Sequence, residues 1–384
     1  MRARVRVLVA LSRPPVFLLL MLHLALGMDG AASTHGLLLL VRALLPLVAC
    51  QVFSVACNDL SDMAIDAVNL AGDPSRPLVF GGTARRDMVG VAVGAAVVAL
   101  GAAAFLGLAP FAVVAAELVV GAAYSLRPVR LAERGALAAV TLAVCFVVLP
   151  YLLGRVVVGA HLSGRDALMV AGLSLGFVGR IVLKDFRDVR GDTMYGKRTF
   201  LVRRGRARTC RFSAGCWTAG TGAMLVATPH PGAVLTASIL TQLAAALWLL
   251  DRLRTETHPR RETMLISTIA IVGRGMLLTL LTHLALLAEG WSAAQQAVTI
   301  AALLALTLGQ SHTMLTRGPA TRLVVPPALL QPGPDLESSE WSANSPNSPS
   351  TAPIPAPWPD SGAPSSATRS RTKKETTSSP SAPR

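Results

Sequence analysis

The chain has 384 residues, 52% of them hydrophobic and only 15% charged, and a net charge of +15. Soluble globular domains carry about 25% charged residues, so this composition excludes that class and points to a membrane protein. The five cysteines, Cys50, Cys57, Cys145, Cys210 and Cys216, form no C-x-x-C pair. That excludes a cysteine metal centre and leaves them as small packing residues or free thiols.

In chain order, apolar runs close to the roughly 20 residues of one bilayer crossing fall at 14–30, 36–57, 88–107, 110–126, 136–157, 166–183, 210–228, 232–250, 265–288 and 293–313. The short alternating strands of a transmembrane barrel are absent. The expected fold is therefore all-α, a polytopic transmembrane helical bundle of about nine to ten spans around a central cavity, over residues 1–320. The first run follows Arg2, Arg4, Arg6 and Arg13, lacks a convincing small-residue cleavage site in a simple signal-peptide layout, and is followed by more spans. It is expected as a membrane helix and not as a cleaved signal. From Gln331 to Arg384, 11 of 54 residues are proline and most others are Ser, Thr or Ala. Such a segment has too little apolar surface to fold, which predicts a disordered tail over 331–384.

Loop charge predicts orientation. One set of loops carries Arg76, Arg85 and Arg86, then Arg127, Arg130 and Arg134, then ten Lys and Arg from Lys184 to Arg211, then Arg252, Arg254, Arg260 and Arg261. The alternate loops are nearly free of them. Lys and Arg excess marks the cytoplasmic side, so the N-terminus and these loops are expected in the cytoplasm of a multi-pass membrane protein. Much of the net charge is then topological. No nucleic-acid partner is expected, because neither a continuous basic face nor a reading module is present.

The chain has only 21 Asp and Glu, and six stand in two clusters, each just after an apolar run. In the first, Asn58, Asp62 and Asp66 are four apart, which places them on one face if the helix continues; Asp59 points elsewhere. In the second, Asp188 and Asp192 are four apart, with Asp185 one turn earlier. Carboxylates crowded on one face repel one another and call for a cation. An oxygen-only set without His or Cys suits a hard ion such as Mg²⁺. The first cluster follows span two and the second span six, so both are expected at one cytoplasmic mouth. Two such clusters facing each other suit a diphosphate held through bridging Mg²⁺. Arg76, Lys197, Arg127 and Arg130 lie on the same side as candidate diphosphate contacts. Arg180, about a turn before the second cluster, is expected to reach the phosphates too. Arg274 stands mid-span, where a charge is expensive, and has no evident partner in the sequence.

With these motifs in place, the chain resembles the UbiA superfamily of intramembrane prenyltransferases. Asn58-x-x-x-Asp62-x-x-x-Asp66 resembles its first aspartate-rich motif, and Arg76-Pro77-Leu78 the continuation of that motif. Tyr124-Ser125-Leu126-Arg127-Pro128 through Arg134-Gly135 is similar to its middle loop, with Glu133 departing from the lysine common there. Asp185 to Asp192, with Gly196-Lys197-Arg198-Thr199, resembles the second motif, in a form closer to the menaquinone and homogentisate branches than to the ubiquinone branch. The resemblance covers roughly residues 10 to 314 and implies an allylic polyprenyl diphosphate donor and Mg²⁺. Asn58, Asp62, Asp66, Asp188 and Asp192 would hold two Mg²⁺, with Asp185 assisting, and Asp62, Asp66, Asp188 and Asp192 would be essential to catalysis. It also implies an isoprenoid chain within the bilayer-embedded bundle and a small-molecule acceptor, aromatic or quinone-precursor-like. Two alternatives remain: a member of the superfamily that cyclises its prenyl diphosphate, and a membrane transporter.

Overall fold

The computed structural model describes residues 11, 13–28, 34–69, 78–79, 83–196 and 199–318. Arg76, Lys197 and the 331–384 segment lie outside them.

Helices form at all ten expected places, and no strand occurs among the described residues. They are α1 (Pro14–Gly27), α2 (Thr34–Asn69), α3 (Arg85–Ala104), α4 (Leu108–Ser125), α5 (Ala136–Val157) and α6 (Gly164–Ile181). Two short helices follow, α7 (Asp185–Met194) and α8 (Phe200–Arg204). The last four are α9 (Arg206–Ala227), α10 (Ala233–Thr255), α11 (Pro259–Ala288) and α12 (Ala293–Arg317). Eight of the membrane helices are long and apolar enough to cross a bilayer. The first, α1, is apolar but has 14 residues. The seventh, α9, opens on Arg206, Arg208 and Arg211 and is rich in Gly, Ser and Thr, so it has the length without the apolarity.

Outward-facing apolar stripes agree with a lipid environment. Val89, Val93 and Val97 repeat every fourth residue on α3 and are all exposed, as are Leu37, Leu38, Val41 and Leu45 on α2. In water such stripes would be a liability; against lipid tails they are ordinary surface. Between helices the contacts rely on small residues, as is usual where lipid is as apolar as the side chains. The α6–α9 crossing is the clearest case: a Cβ on Gly172 would stand 2.8 Å from the carbonyl oxygen of Gly220. Only glycine permits that approach.

Three departures from plain helix position the site. First, α2 continues for three turns beyond its apolar run, which carries Asn58, Asp62 and Asp66 on one helical face. Secondly, α5 contains one π-helical turn, Val144–Val148, of the kind often found at functional sites. Thirdly, a 3₁₀ turn at Val182–Lys184 joins α6 to α7. α7 packs against α2, so the two acidic clusters meet at one end of the bundle.

Candidate active site

At the end of α2, Asn58 Nδ2 donates to Asp62 Oδ2 at 3.1 Å, the i to i+4 contact that the spacing predicts. Arg130, in the loop between α4 and α5, donates through Nη2 to Asp62 Oδ1 at 2.9 Å. Its Nε lies 2.8 Å from Glu133 Oε1. Glu133, the departure from the usual lysine, thus orients the arginine that reaches the first cluster. Asp66 lies one turn beyond Asp62 and is also buried. Asp59, off this face, accepts from Arg13 Nη2 at 3.0 Å and ties the end of α2 to the start of α1.

Asp185, Asp188 and Asp192 line one narrow cleft with Lys184 and Tyr124. Asp192 is almost fully buried. Lys184 is in electrostatic range of Asp185, Asp188 and Asp62, and so of both clusters. Sequence reasoning counted Lys184 among the loop cations. The signal that would have singled it out is its place between an apolar run and Asp185.

Beneath the clusters lies a cavity of about 260 Å³. Lys184, Tyr124, Leu142 and Ile181 line both it and the acidic cleft. Asn58 and Arg13 stand at its polar end, while Leu19, Leu142, Phe146 and Phe177 make much of its apolar wall. The π turn of α5 contributes Cys145 and Phe146. Glu117, Gln51 and Ser54 also line it, and none of these was singled out from the sequence. Glu117 is 3% exposed in the middle of α4, with no basic neighbour in the sequence to draw attention to it.

Of the expected basic residues, Arg130 reaches the first cluster directly and Arg180 lines the cavity below. Arg127 is exposed and lines neither cleft nor cavity. Among the described residues, no three His, Cys, Asp or Glu side chains converge tightly enough to hold a metal by themselves. With Lys184 and Arg130 among the acids, the donor set fits a hard cation that arrives with phosphate oxygens. Mg²⁺ commonly takes one or two protein carboxylates and completes its shell from substrate and water.

A model of the UbiA prenyltransferase family matches residues 16–269. The chain belongs to the UbiA prenyltransferase family. It is a multi-pass membrane prenyltransferase. It is 28% identical over 223 residues to the bacteriochlorophyll synthase 34 kDa chain of Chloroflexus aurantiacus, covering 58% of this chain and 70% of that one. It is also 28% identical over 204 residues to the digeranylgeranylglyceryl phosphate synthase of Korarchaeum cryptofilum, covering 52% and 68%. Among solved structures it is similar to a UbiA homolog from Archaeoglobus fulgidus bound to GPP and Mg²⁺, with a TM-score of 0.55. That match is 17% identical and covers 73% of this chain and 99% of the other. At that identity, the likeness speaks for the fold.

Proposed function

We propose that this UbiA family member transfers a prenyl group from an allylic polyprenyl diphosphate to a small-molecule acceptor, aromatic or quinone-precursor-like, and releases diphosphate in a Mg²⁺-dependent reaction. The observation that carries this reading is the meeting of two acidic clusters at the mouth of a largely apolar cavity, with Arg130 paired to Asp62 and Lys184 in electrostatic range of both clusters. The relatives' names fit the same class: one makes a bacteriochlorophyll, the other a glyceryl phosphate bearing geranylgeranyl groups.

In this reading Asn58, Asp62 and Asp66 on α2 and Asp185, Asp188 and Asp192 on α7 hold the metal–diphosphate head. Bound there, Mg²⁺ would neutralise charge on the phosphate oxygens. Lys184 and Arg130 supply further positive charge where the leaving group gains it. As the allylic carbon–oxygen bond breaks, its electron pair leaves with the diphosphate. Leu142, Phe146 and Phe177 keep water from the carbon fragment. The acceptor then forms the new bond to that carbon and gives up a proton. Arg76 and Lys197 are retained as further diphosphate contacts. The clusters and the N-terminus face the cytoplasm, and the segment beyond residue 330 is a tail outside the catalytic domain.

The test is incubation of the purified protein in nanodiscs with radiolabelled geranyl and geranylgeranyl diphosphates, an acceptor panel, and either Mg²⁺ or chelator. The expected result is acceptor-dependent product formation with Mg²⁺ alone. Turnover indifferent to chelator would overturn the metal-dependent reading.

A further inference from the structure

Arg180 on α6 and Arg274 on α11 line a second, smaller cavity beside the first. Both stand within apolar helices, where an unpaired charge is expensive. Among the described residues, neither is joined to a carboxylate or makes a side-chain hydrogen bond. They lie in electrostatic range of one another, and like charges repel. Two polar groups on α9 line the same space. Trp217 Nε1 and Thr221 Oγ1 are both buried, and neither has a hydrogen-bond partner in the protein. An indole N–H can only donate, and a guanidinium likewise. Four donor groups from three helices therefore line one small cavity with no hydrogen-bond acceptor engaged among the described residues, and the buried His23 of α1, whose Nδ1 also lacks a hydrogen-bond partner there, completes the polar wall.

The space is about 50 Å³. At roughly 10–15 Å³ of such space per water, it suits a group of about three to five heavy atoms, the size of a carboxylate or phosphate. Leu19, Phe177 and Arg180 belong to the walls of both cavities, so a molecule in the large one can extend a short group into the small one. Arg274 lines neither the large cavity nor the acidic cleft, which sets this site apart from the diphosphate end.

We propose that Arg180, Arg274, Trp217 and Thr221 form an oxyanion site that binds a carboxylate or phosphate group carried by the prenyl acceptor. That the bound anion belongs to the acceptor rests on the prenyl-transfer reading; the anion site itself rests on the four donor groups. Planar guanidinium forks match either oxyanion. The acceptor class is thereby narrowed to acids, with the acidic group pointing away from the reacting carbon.

Trp217 is its own reporter. In the full chain with Trp248, Trp291, Trp341 and Trp358 changed to Phe, in phosphatidylcholine nanodiscs, emission is titrated with benzoate, phenyl phosphate and uncharged methyl benzoate. Benzoate, phenyl phosphate or both are expected to shift Trp217 emission saturably, whereas methyl benzoate leaves it unchanged. Arg274→Met is expected to weaken anion binding at least tenfold and Thr221→Val several-fold. Arg274→Lys is expected to retain part of it. Binding of geranyl diphosphate with Mg²⁺, measured separately by radioligand filtration, is expected to stay within twofold in Arg274→Met. Three results would each overturn the site: equal response to the ester, no response to either anion, or anion binding in Arg274→Met equal to the unsubstituted protein. Loss of geranyl diphosphate binding in Arg274→Met would reassign the arginines to the donor. Donor turnover with and without chelator is read independently, so failure of the anion site is distinct from failure of the prenyl-transfer reading.

Discussion

At the residue scale, the two clusters owe their character to cations held among acids. Asp62 takes hydrogen bonds from both Asn58 and Arg130, and Lys184 lies within reach of three carboxylates. Asp62→Ala removes an expected metal contact and the partner that holds Arg130, so turnover is expected to vanish. Purified Asp62→Ala with activity near that of the unsubstituted protein would remove Asp62 from the site. Lys184→Met leaves every carboxylate in place but deletes the charge proposed to stabilise the leaving group. Losing one such group costs about 10²–10³ in rate in comparable cases. The expected signature is a fall of that order in kcat under saturating donor, measured by diphosphate release, with the thermal unfolding midpoint little changed. A Lys184→Met protein with full kcat would confine the lysine to a structural role.

At the element scale, the reaction end depends on helices being held in register from the other end. There α5 and α6 are fastened by a buried network. Tyr151 Oη donates to Asp166 Oδ1 at 2.7 Å, and Ser163 caps α6 through Asp166. Arg155 Nε lies 3.5 Å from the same Oδ1. Both members of the ion pair are about nine-tenths buried. Asp166→Ala removes the carboxylate beside a buried arginine, which keeps its Nη2 bond to the His161 carbonyl; losing one partner of a buried pair costs up to about 3–5 kcal/mol in comparable sites. A clear drop in thermal unfolding midpoint in detergent is expected, and an unchanged midpoint would mean the pair is dispensable. Gly172→Leu tests the α6–α9 crossing, where even a Cβ would meet backbone at 2.8 Å. Loss of folded protein on size-exclusion chromatography is the expected outcome.

At the scale of the whole molecule, the described residues form a helical bundle with both acidic clusters at one end, and that end's side of the membrane is open to direct measurement. All five native cysteines are buried, so a Thr257→Cys variant offers one exposed thiol in the loop between α10 and α11. If the basic loops are cytoplasmic, an impermeant maleimide labels it in inside-out vesicles and not in intact cells; the reverse pattern would invert the orientation. Deleting residues 331–384 is expected to leave prenyl transfer within twofold, as measured by product formation in membranes. A large loss would give that segment a part in catalysis or folding.

Much of the architecture was legible without coordinates, because bilayer physics acts locally. A run of apolar residues must satisfy its backbone within itself and becomes a helix, and all ten helices stand where such runs were read. The i to i+4 spacing of Asn58, Asp62 and Asp66 is likewise a property of one helix, as is the pairing of Asp188 with Asp192. What lies between helices was not legible in the same way. The nearness of Lys184 to both clusters, the contact of Arg130 with Asp62, the exposure of Arg127 and the cavity wall that includes Glu117 depend on which helices pack together. That packing is decided by close approaches such as Gly172 against Gly220, which leave no periodic trace in the sequence. Arg180 and Arg274 show the division most plainly. The sequence alone marked each as a charge in an apolar span, while tertiary structure put them in the wall of one cavity, since residues 94 positions apart share a neighbourhood only when their helices pack together.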